Sequence, residues 1–261
     1  MIMKEVVTYG LLGHPLGHSF SKIFFAELLK NTGMKYENFD LPELSNASLY
    51  ALLMSYPHLK GFNVTAPYKQ QIMTMLDSID PVAQAVGAVN TVVVERHDSG
   101  ALRGLHGFNS DVVGFRESIE KILTPLPSDA GALILGTGGA SNAAAYVFEQ
   151  TGRPHLKVSR TQQEPGRIIR YEDITAEVLD QYPIVVNCTP AGTYPNVDTC
   201  PPFPYELIRP GMVFFDMVYN PDPSLFLQRA ERAGAVTKSG AEMLVLQALE
   251  SWRIWNRYPN L

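Results

Sequence analysis

The sequence predicts an α/β protein built as two domains, each a sheet with helices packed against it. Three observations carry this. Apolar segments of strand length alternate with segments of helix length. The pattern pauses at the proline-bearing Thr124-Pro125-Leu126-Pro127 and restarts at Gly131 with a strand, a glycine turn and an alanine-rich helix. A chain of 261 residues with 46% hydrophobic content is also long enough to bury two modest cores.

In the first half, Val6 to Leu12 reads as a buried strand. The loop Gly13-His14-Pro15-Leu16-Gly17 then delivers the chain to Ser19, an N-cap for a helix from Phe20 to about Asn31. Tyr36 to Leu41 reads as a second strand, Leu44 to Tyr56 as mostly helix and Leu59 to Val64 as a third strand. Pro67 opens a helix at the position where a missing amide proton costs nothing. A fourth strand runs from Ala88 to Glu95 and ends near the turn-like Asp98-Ser99-Gly100. The polar, glycine-bearing stretch from Gly104 leads into a helix from Asp111 to Leu123, and the interdomain crossover is expected there.

In the second half, strands are expected at Ala132 to Leu135, His155 to Ser159, Ile184 to Asn187 and Met212 to Asp216. Helices are expected at Ala140 to Thr151 and Ser224 to Ala233. This alternation argues for a mostly parallel sheet with helices on both faces. The proline-rich run from Pro195 to Pro204 reads as an irregular surface loop. A last helix, Ala241 to Trp255, carries enough apolar side chains to pack on more than one side and is expected to return to the first domain. The expected division is therefore 1–105 with 238–261 for one domain and 106–237 for the other.

Composition narrows the function. The chain has 21 Lys and Arg against 26 Asp and Glu, and it lacks a long basic block of the kind that tracks a phosphate backbone, so nucleic acid is not an expected partner. Cys188 and Cys200 form no CxxC pair and no zinc spacing, which suits a reducing compartment. His14 and His18 are four residues apart but lie across Pro15 and Gly17 in a loop, and no metal site is expected. The beginning of the chain lacks the profile of a signal peptide, and no stretch reaches the roughly 18 apolar residues that span a bilayer. The expectation is a cytoplasmic protein without membrane association.

The segment Gly136-Thr137-Gly138-Gly139-Ala140-Ser141 follows a strand and opens a helix. Glycines there let backbone amides and the positive helix end face anionic oxygens, which is the context of a dinucleotide-binding turn. The next strand ends in Val158-Ser159-Arg160-Thr161 rather than in Asp or Glu. Arg160, 24 residues after Gly136, offers a fork of donors to a 2'-phosphate, with hydroxyls from Ser159 and Thr161 beside it. That favours NADP over NAD and hence a nicotinamide oxidoreductase.

Catalytic candidates cluster elsewhere. Asn63-Val64-Thr65-Ala66-Pro67-Tyr68-Lys69 puts three polar side chains at a strand end, and a lysine so placed can shuttle a proton for a carbonyl and alcohol pair. Asp111, at the start of a helix, is the candidate partner for Lys69; its plainer reading is an N-cap. Asn90 and Thr91 open an otherwise apolar strand and would be costly to bury without a ligand or backbone partner. Ser19 and Ser21, near a helix start, suit a carboxylate.

Taken together these segments resemble the shikimate dehydrogenase family. The match runs in order through Gly13-His14-Pro15-Leu16-Gly17-His18-Ser19-Phe20-Ser21, Asn63 to Lys69, Gly87-Ala88-Val89-Asn90-Thr91, Asn109-Ser110-Asp111 and Gly136 to Ala140. It continues through Asn187-Cys188-Thr189-Pro190, Asp216-Met217-Val218-Tyr219-Asn220-Pro221 and Gly240-Ala241-Glu242-Met243-Leu244 to Gln247. The resemblance implies an N-terminal α/β substrate domain, a Rossmann-like NADP-binding domain and a C-terminal helix that returns to the first. It implies reversible reduction of 3-dehydroshikimate to shikimate by hydride transfer from NADPH, with a small molecule as the partner and a monomer or homodimer as the working form.

By the same resemblance Ser19, Ser21 and Tyr219 would hold the substrate carboxylate, and Asn63, Thr65, Asn90, Asp111 and Gln247 would contact its ring. Lys69 would be the general acid and base, with Asp111 orienting it. Gly136, Thr137, Gly138, Gly139 and Ala140 would cradle the pyrophosphate; Ser159, Arg160 and Thr161 would read the 2'-phosphate; Thr189, Met217 and Gly240 would line the rest of the cofactor site. One departure stands out: where the family has a second basic residue, this chain has Gln162, Gln163 and Glu164, with Arg167 the nearest replacement. The alternatives are a quinate/shikimate dehydrogenase with relaxed or NAD cofactor use and, in a different class, a non-catalytic dinucleotide-binding regulatory protein.

Overall fold

The computed structural model describes residues 6–17, 20–161 and 164–258. Its contacts divide the chain into one unit of residues 1–110 with 248–261 and a second of residues 111–247. The division falls after residue 110 rather than 105, because residues 106–108 belong to a strand of the first unit.

The first unit contains β1 (Thr8–Gly13), α1 (Phe20–Leu28), β2 (Lys35–Asp40), α2 (Asn46–Ser55), β3 (Leu59–Val64), β4 (Ser78–Ile79), α3 (Pro81–Val86), β5 (Thr91–Arg96) and β6 (Leu102–Phe108). The sheet order is β2-β1-β3-β5-β6-β4. Strand β1 is parallel to β2 and β3, and β4 to β6, whereas β5 runs antiparallel to both β3 and β6. The loop from 97 to 101 between β5 and β6 is too short for a parallel crossover.

Both faces of this sheet are covered, and the pleat sorts its side chains between them. Leu12, Phe62, Val92 and Val94 join one core with Leu49, Leu53 and Ile72. Tyr9, Leu11 and Val93 point to the other, packed with Phe25 of α1 and with Ala248 and Trp255 of the C-terminal helix. Trp255 stacks on Tyr9 at 4.7 Å, and its indole Nε1 donates to Val92 O at 3.0 Å.

The second unit contains α4 (Asp111–Leu123), β7 (Ala132–Leu135), α5 (Gly139–Gln150), β8 (His155–Ser159), β9 (Ile168–Arg170), α6 (Ala176–Gln181), β10 (Ile184–Asn187), β11 (Val213–Asp216), α7 (Leu225–Arg232), β12 (Val236–Ser239) and the start of α8 (Ala241–Arg257). Its strand order is β12-β11-β10-β7-β8-β9, and every neighbouring pair is parallel. Counted from β7, this is the 3-2-1-4-5-6 order of a doubly wound nucleotide fold, in which the topology reverses between β7 and β10. Leu133, Val158, Val185, Phe214 and Phe226 fill the core on one face. Phe115 of α4 packs edge-on against Phe148 and Phe215.

Several expected elements differ. After Pro67 the chain makes a turn and then a 3-10 turn at Gln71–Met75 instead of an α-helix. Lys69 O is captured by Val89 N at 2.8 Å, so it is unavailable to an α-helical donor, and Met73 N turns to Gln70 O at 3.3 Å. The glycine-bearing stretch expected to be a crossover is β6. A Cβ on Gly107 would lie 2.5 Å from Leu76 Cδ1, so that glycine serves close packing within a strand rather than a loop.

Gly61 has the same role on β3, where a Cβ would sit 2.3 Å from Trp255 Nε1 and 2.8 Å from Val92 O. Neither neighbour can yield, since one is a stacked ring and the other is backbone. Gly61→Ala is therefore expected to destabilise the protein by about 1–3 kcal/mol through overpacking, read as a lowered Tm; an unchanged Tm would contradict this packing.

Candidate functional site

In the second unit the functional candidates gather at the C-terminal ends of the parallel strands. Strand β7 ends in Gly136, whose φ of +113° suits glycine, and Gly136 N donates to Val158 O at 2.8 Å. Ser141 Oγ donates back to Gly136 O at 2.7 Å and closes the turn. Gly138 is the N-cap of α5 and has an ordinary φ of −84°. A Cβ there would meet nothing within 4 Å, so the protein's own packing gives no reason for glycine at this position. A ligand pressed against the loop does. The first amides of α5 lack intrahelical acceptors by helix geometry and carry the positive end of the helix dipole, while its first turn holds no acidic side chain. The residues present fit a pyrophosphate.

Strand β8 ends at Ser159, which is buried, and Thr161 N donates to Ser159 Oγ at 3.3 Å, shaping the turn that presents the exposed Arg160. Beside Arg160 opens a cavity of about 530 Å³, walled by Tyr171, Phe203 and Pro204, with Glu172 and Glu206 also lining it. Burial drives the Tyr171 phenol up to about 12, against a smaller pull from the Arg160 charge. Arg167 pairs with Glu164 at 3.3 Å. Gln162 and Gln163 lie outside the described residues.

The loops after β10 and β11 are organised by two fully buried polar residues, Asn187 and Asp216. Asn187 Nδ2 donates to Asp216 Oδ1 at 2.9 Å, and its Oδ1 accepts from Thr189 N at 3.0 Å and Thr189 Oγ1 at 2.7 Å. Asp216 Oδ1 also accepts from Val218 N at 2.9 Å, and its Oδ2 accepts from Ser224 Oγ, the N-cap of α7. Thr189 and Met217 thereby sit at the strand ends, and a Cβ on Gly240 would meet Met217 O at 2.5 Å. Gly114 of α4 likewise allows close approach to α8, since a Cβ there would meet Met243 O at 2.8 Å and Gln247 Cβ at 2.9 Å. Asp111 is buried at the head of α4, and Tyr219 is partly exposed.

In the first unit a largely buried hydrogen-bond network links three of the candidates, Ser21, Asn63 and Asn90. Ser21 bonds the Tyr36 hydroxyl, which donates to Asn63 Oδ1 at 2.9 Å. Burial raises the Tyr36 phenol well above its ordinary value, so it stays protonated as a donor. Asn63 Nδ2 reaches Ser251 Oγ at 2.7 Å, Asn90 O at 3.2 Å and Thr91 Oγ1 at 3.3 Å. Asn90 Oδ1 accepts from Ser110 N at 2.7 Å, and Asn90 Nδ2 donates to Ser110 Oγ at 3.0 Å. Thr65 and Lys69, both partly buried, stand on the segment that leaves β3. Ahead of α1, Asp40 binds His14 Nδ1 at 2.6 Å and Leu16 N at 3.1 Å, which fixes the loop leading to residue 17 and holds the Asp40 carboxyl below its ordinary value. Ser19 lies outside the described residues.

Of the expected residues, Asn63 and Asn90 are thus joined directly, and Ser21 reaches Asn63 through Tyr36. Asn63 spends its amide inside the protein rather than presenting it. Tyr36 and Ser251 are absent from the sequence-derived set. An aromatic on a strand and a serine in an apolar helix carry no signal until the fold brings them together. Among the described residues no group of three or more His, Cys, Asp or Glu side chains could hold a metal ion, and no helix is long and apolar enough to cross a membrane.

A parallel sheet of nucleotide-fold order with an open glycine turn, joined in sequence to a mixed-sheet unit with a polar network at its strand ends, defines the class of two-unit Rossmann-type α/β proteins. The comparisons narrow this. A family model described as the shikimate dehydrogenase substrate binding domain matches residues 11–92. The shikimate dehydrogenase (NADP(+)) of Methanococcus maripaludis is 34% identical, over 98% of this chain and 94% of that one. A crystal structure of a shikimate dehydrogenase in complex with NADP+ superposes with a TM-score of 0.83 at 32% identity, covering 98% of this chain and 92% of the other. The Thermus thermophilus shikimate 5-dehydrogenase, solved with NADP(H) and shikimate, gives a TM-score of 0.79 at 30% identity over 97% and 94% of the two chains. The chain belongs to the shikimate dehydrogenase family.

The buried Asp216 makes a testable imprint on stability. Burial raises its carboxyl to about 6, against opposing hydrogen bonds from Ser224, Val218 and Asn187. A folded-state value above the unfolded one means that the contribution is fully present below the unfolded value near 4 and is lost as pH rises through 6. Asp216→Asn keeps an acceptor for Val218 and Asn187 and removes the titration. Denaturant melts from pH 4 to 7 should show the wild type losing on the order of 3 kcal/mol relative to the variant over this window; parallel pH profiles would contradict the assignment.

Proposed function

We propose that this protein is an NADP-dependent shikimate dehydrogenase that interconverts 3-dehydroshikimate and shikimate. The observation that carries the proposal is an arginine, in place of a carboxylate, at the end of β8 beside the 530 Å³ cavity, in a chain similar over its length to NADP(+) shikimate dehydrogenases. Gly136, Thr137, Gly138, Gly139 and Ala140 hold the pyrophosphate through backbone amides and the α5 N-terminus. Ser159, Arg160 and Thr161 take the 2'-phosphate, and the Tyr171, Phe203 and Pro204 walls suit the flat purine next to it. Thr189, Met217 and Gly240 line the nicotinamide half. Bound there, the cofactor supplies the hydride that reduces the substrate carbonyl.

The protein's own part is to bind, orient and move the proton. Lys69 donates a proton to the carbonyl oxygen as negative charge develops on it and takes it back in the oxidative direction. Asp111 is assigned the orienting role by the family resemblance alone. Ser19, Ser21 and Tyr219 hold the carboxylate, while Thr65, Asn90 and Gln247 read the ring hydroxyls. Asn63 acts from beneath, through the network it anchors.

A second reading, relaxed cofactor use or quinate turnover, is favoured by one feature: the position of a second base is taken by Gln162 to Glu164, and Arg167 is occupied by Glu164. A regulatory protein without turnover has no need of Lys69.

Initial velocities of shikimate and quinate oxidation, each with NADP and NAD, separate these readings. Shikimate with NADP is expected to give the highest kcat/KM; equal or better turnover with NAD or quinate would transfer the assignment to the second reading. Lys69→Ala should lower kcat by about 10²-fold or more with a smaller change in shikimate affinity, and near-normal kcat would remove Lys69 from this role. Arg160→Leu should raise KM for NADP by about 10- to 100-fold, the worth of a charge-assisted contact, and leave KM for NAD nearly unchanged. Equal effects on both cofactors would show that Arg160 does not read the 2'-phosphate.

A further inference from the structure

Of the α8 residues that belong to the first unit, Ala248, Ser251 and Trp255 are buried, and Ser251 is the polar one among them. Ser251 is fully buried, and its Oγ lies 2.7 Å from Asn63 Nδ2, 2.9 Å from Thr91 Oγ1 and 3.0 Å from Ser110 Oγ. A serine in a helix interior has a lower helix propensity than alanine, and its hydroxyl is costly to bury unless its hydrogen bonds are made. Asn63 Nδ2 can only donate and gives a hydrogen to Ser251, and the Thr91 and Ser110 hydroxyls lie within hydrogen-bond distance of the same oxygen.

The partners place Ser251 at a junction. On one side the chain of bonds runs through Asn63 to Tyr36 and Ser21. On the other it runs through Thr91 and Ser110 to the Asn90 amide, whose Oδ1 accepts from Thr91 Oγ1 at 3.1 Å and from Ser110 N and Oγ at 2.7 and 3.2 Å. With Oδ1 held this way the amide has a single orientation, and Nδ2 carries a second N–H besides the one directed to Ser110. Thr91 and Ser110, which grip Asn90, are themselves held by Ser251, and Ser110 directly precedes Asp111 in the chain.

We propose that Ser251 is a positioning residue for substrate recognition, acting through Thr91 and Ser110 to fix the Asn90 amide that reads a ring hydroxyl. This rests on the shikimate dehydrogenase reading above and adds to it a residue that never touches the substrate. Loss of the Ser251 hydroxyl removes the shortest contact of Asn63 Nδ2 and one contact each from Thr91 and Ser110, and the Asn90 amide gains alternative orientations. The effect falls on binding of the hydroxylated ring more than on the chemical step, because Lys69 and the cofactor turn are held by other contacts.

The test is a double-mutant cycle on the full-length enzyme, measuring shikimate oxidation with NADP for the wild type, Ser251→Ala, Asn90→Ala and the double variant. Ser251→Ala is expected to raise KM for shikimate about tenfold, the worth of one well-placed hydrogen bond, with a smaller change in kcat and no change in KM for NADP. In the Asn90→Ala background the same substitution should have little further effect on kcat/KM, since the group it positions is gone. Additive losses, an unchanged KM for shikimate, or parallel changes in both KM values would overturn the proposal in favour of a purely structural serine. If Ser251→Ala does not fold, as judged by circular dichroism, Thr91→Val preserves shape while cutting the link from Ser251 to Asn90, and the same outcomes decide. A wild-type enzyme that does not turn over shikimate would overturn the underlying reading and this proposal with it.

Discussion

The structure depends on a single constraint met twice: an asparagine amide buried near the C-terminal end of a sheet must find partners inside the protein. A buried amide left unpaired costs about 1–3 kcal/mol, a large part of a domain's net stability. In the first unit Asn63 of β3 meets the constraint by joining Tyr36, Ser251, Thr91 and the Asn90 carbonyl. In the second unit Asn187 of β10 meets it by joining Asp216 and both donors of Thr189. In each case the bonds that rescue the amide also fix the loops and side chains around the candidate site. Stability and positioning are the same set of contacts.

This explains why the two sites tolerate so much polarity at low exposure. Thr91, Ser110, Ser251, Asn187, Asp216 and Ser224 are fully buried, yet each has a hydrogen-bond partner. The apolar sheets on which they sit supply rigidity. Leu12, Phe62 and Val92 pack on one face of the first sheet while Tyr9, Phe25 and Trp255 pack on the other. A strand clamped from both faces holds its terminal side chains in place, which is what a hydroxyl-reading or phosphate-reading surface requires.

The nucleotide turn works by the opposite device, leaving groups unpaired on purpose. Gly138 has open space where a side chain would be, and the first amides of α5 point out of the helix without acceptors of their own. Arg160 stands exposed at the end of β8 beside an aromatic-walled cavity. On the proposed reading, an anionic ligand completes what the protein leaves open.

The alternation of strand and helix, the glycine turn after β7, Arg160 and the Asn63 to Lys69 cluster were all legible in the sequence, because each is a local pattern with its own physical signature. Strand β6 was not, since Gly104 and Gly107 resemble loop glycines until Leu76 and Val89 are seen packed against Gly107. The short β4, β9, α6 and β12 were missed because a few residues are too little for a period to show. The turn after Pro67 escaped because a distant amide, that of Val89, takes the Lys69 carbonyl. The sequence by itself determined which residue types were available and roughly where each element lies. Only the tertiary structure decided that Ser251, on the last helix, would complete a network begun on the first strands, because that depends on groups far apart in the chain satisfying one another's hydrogen bonds in a place that water does not reach.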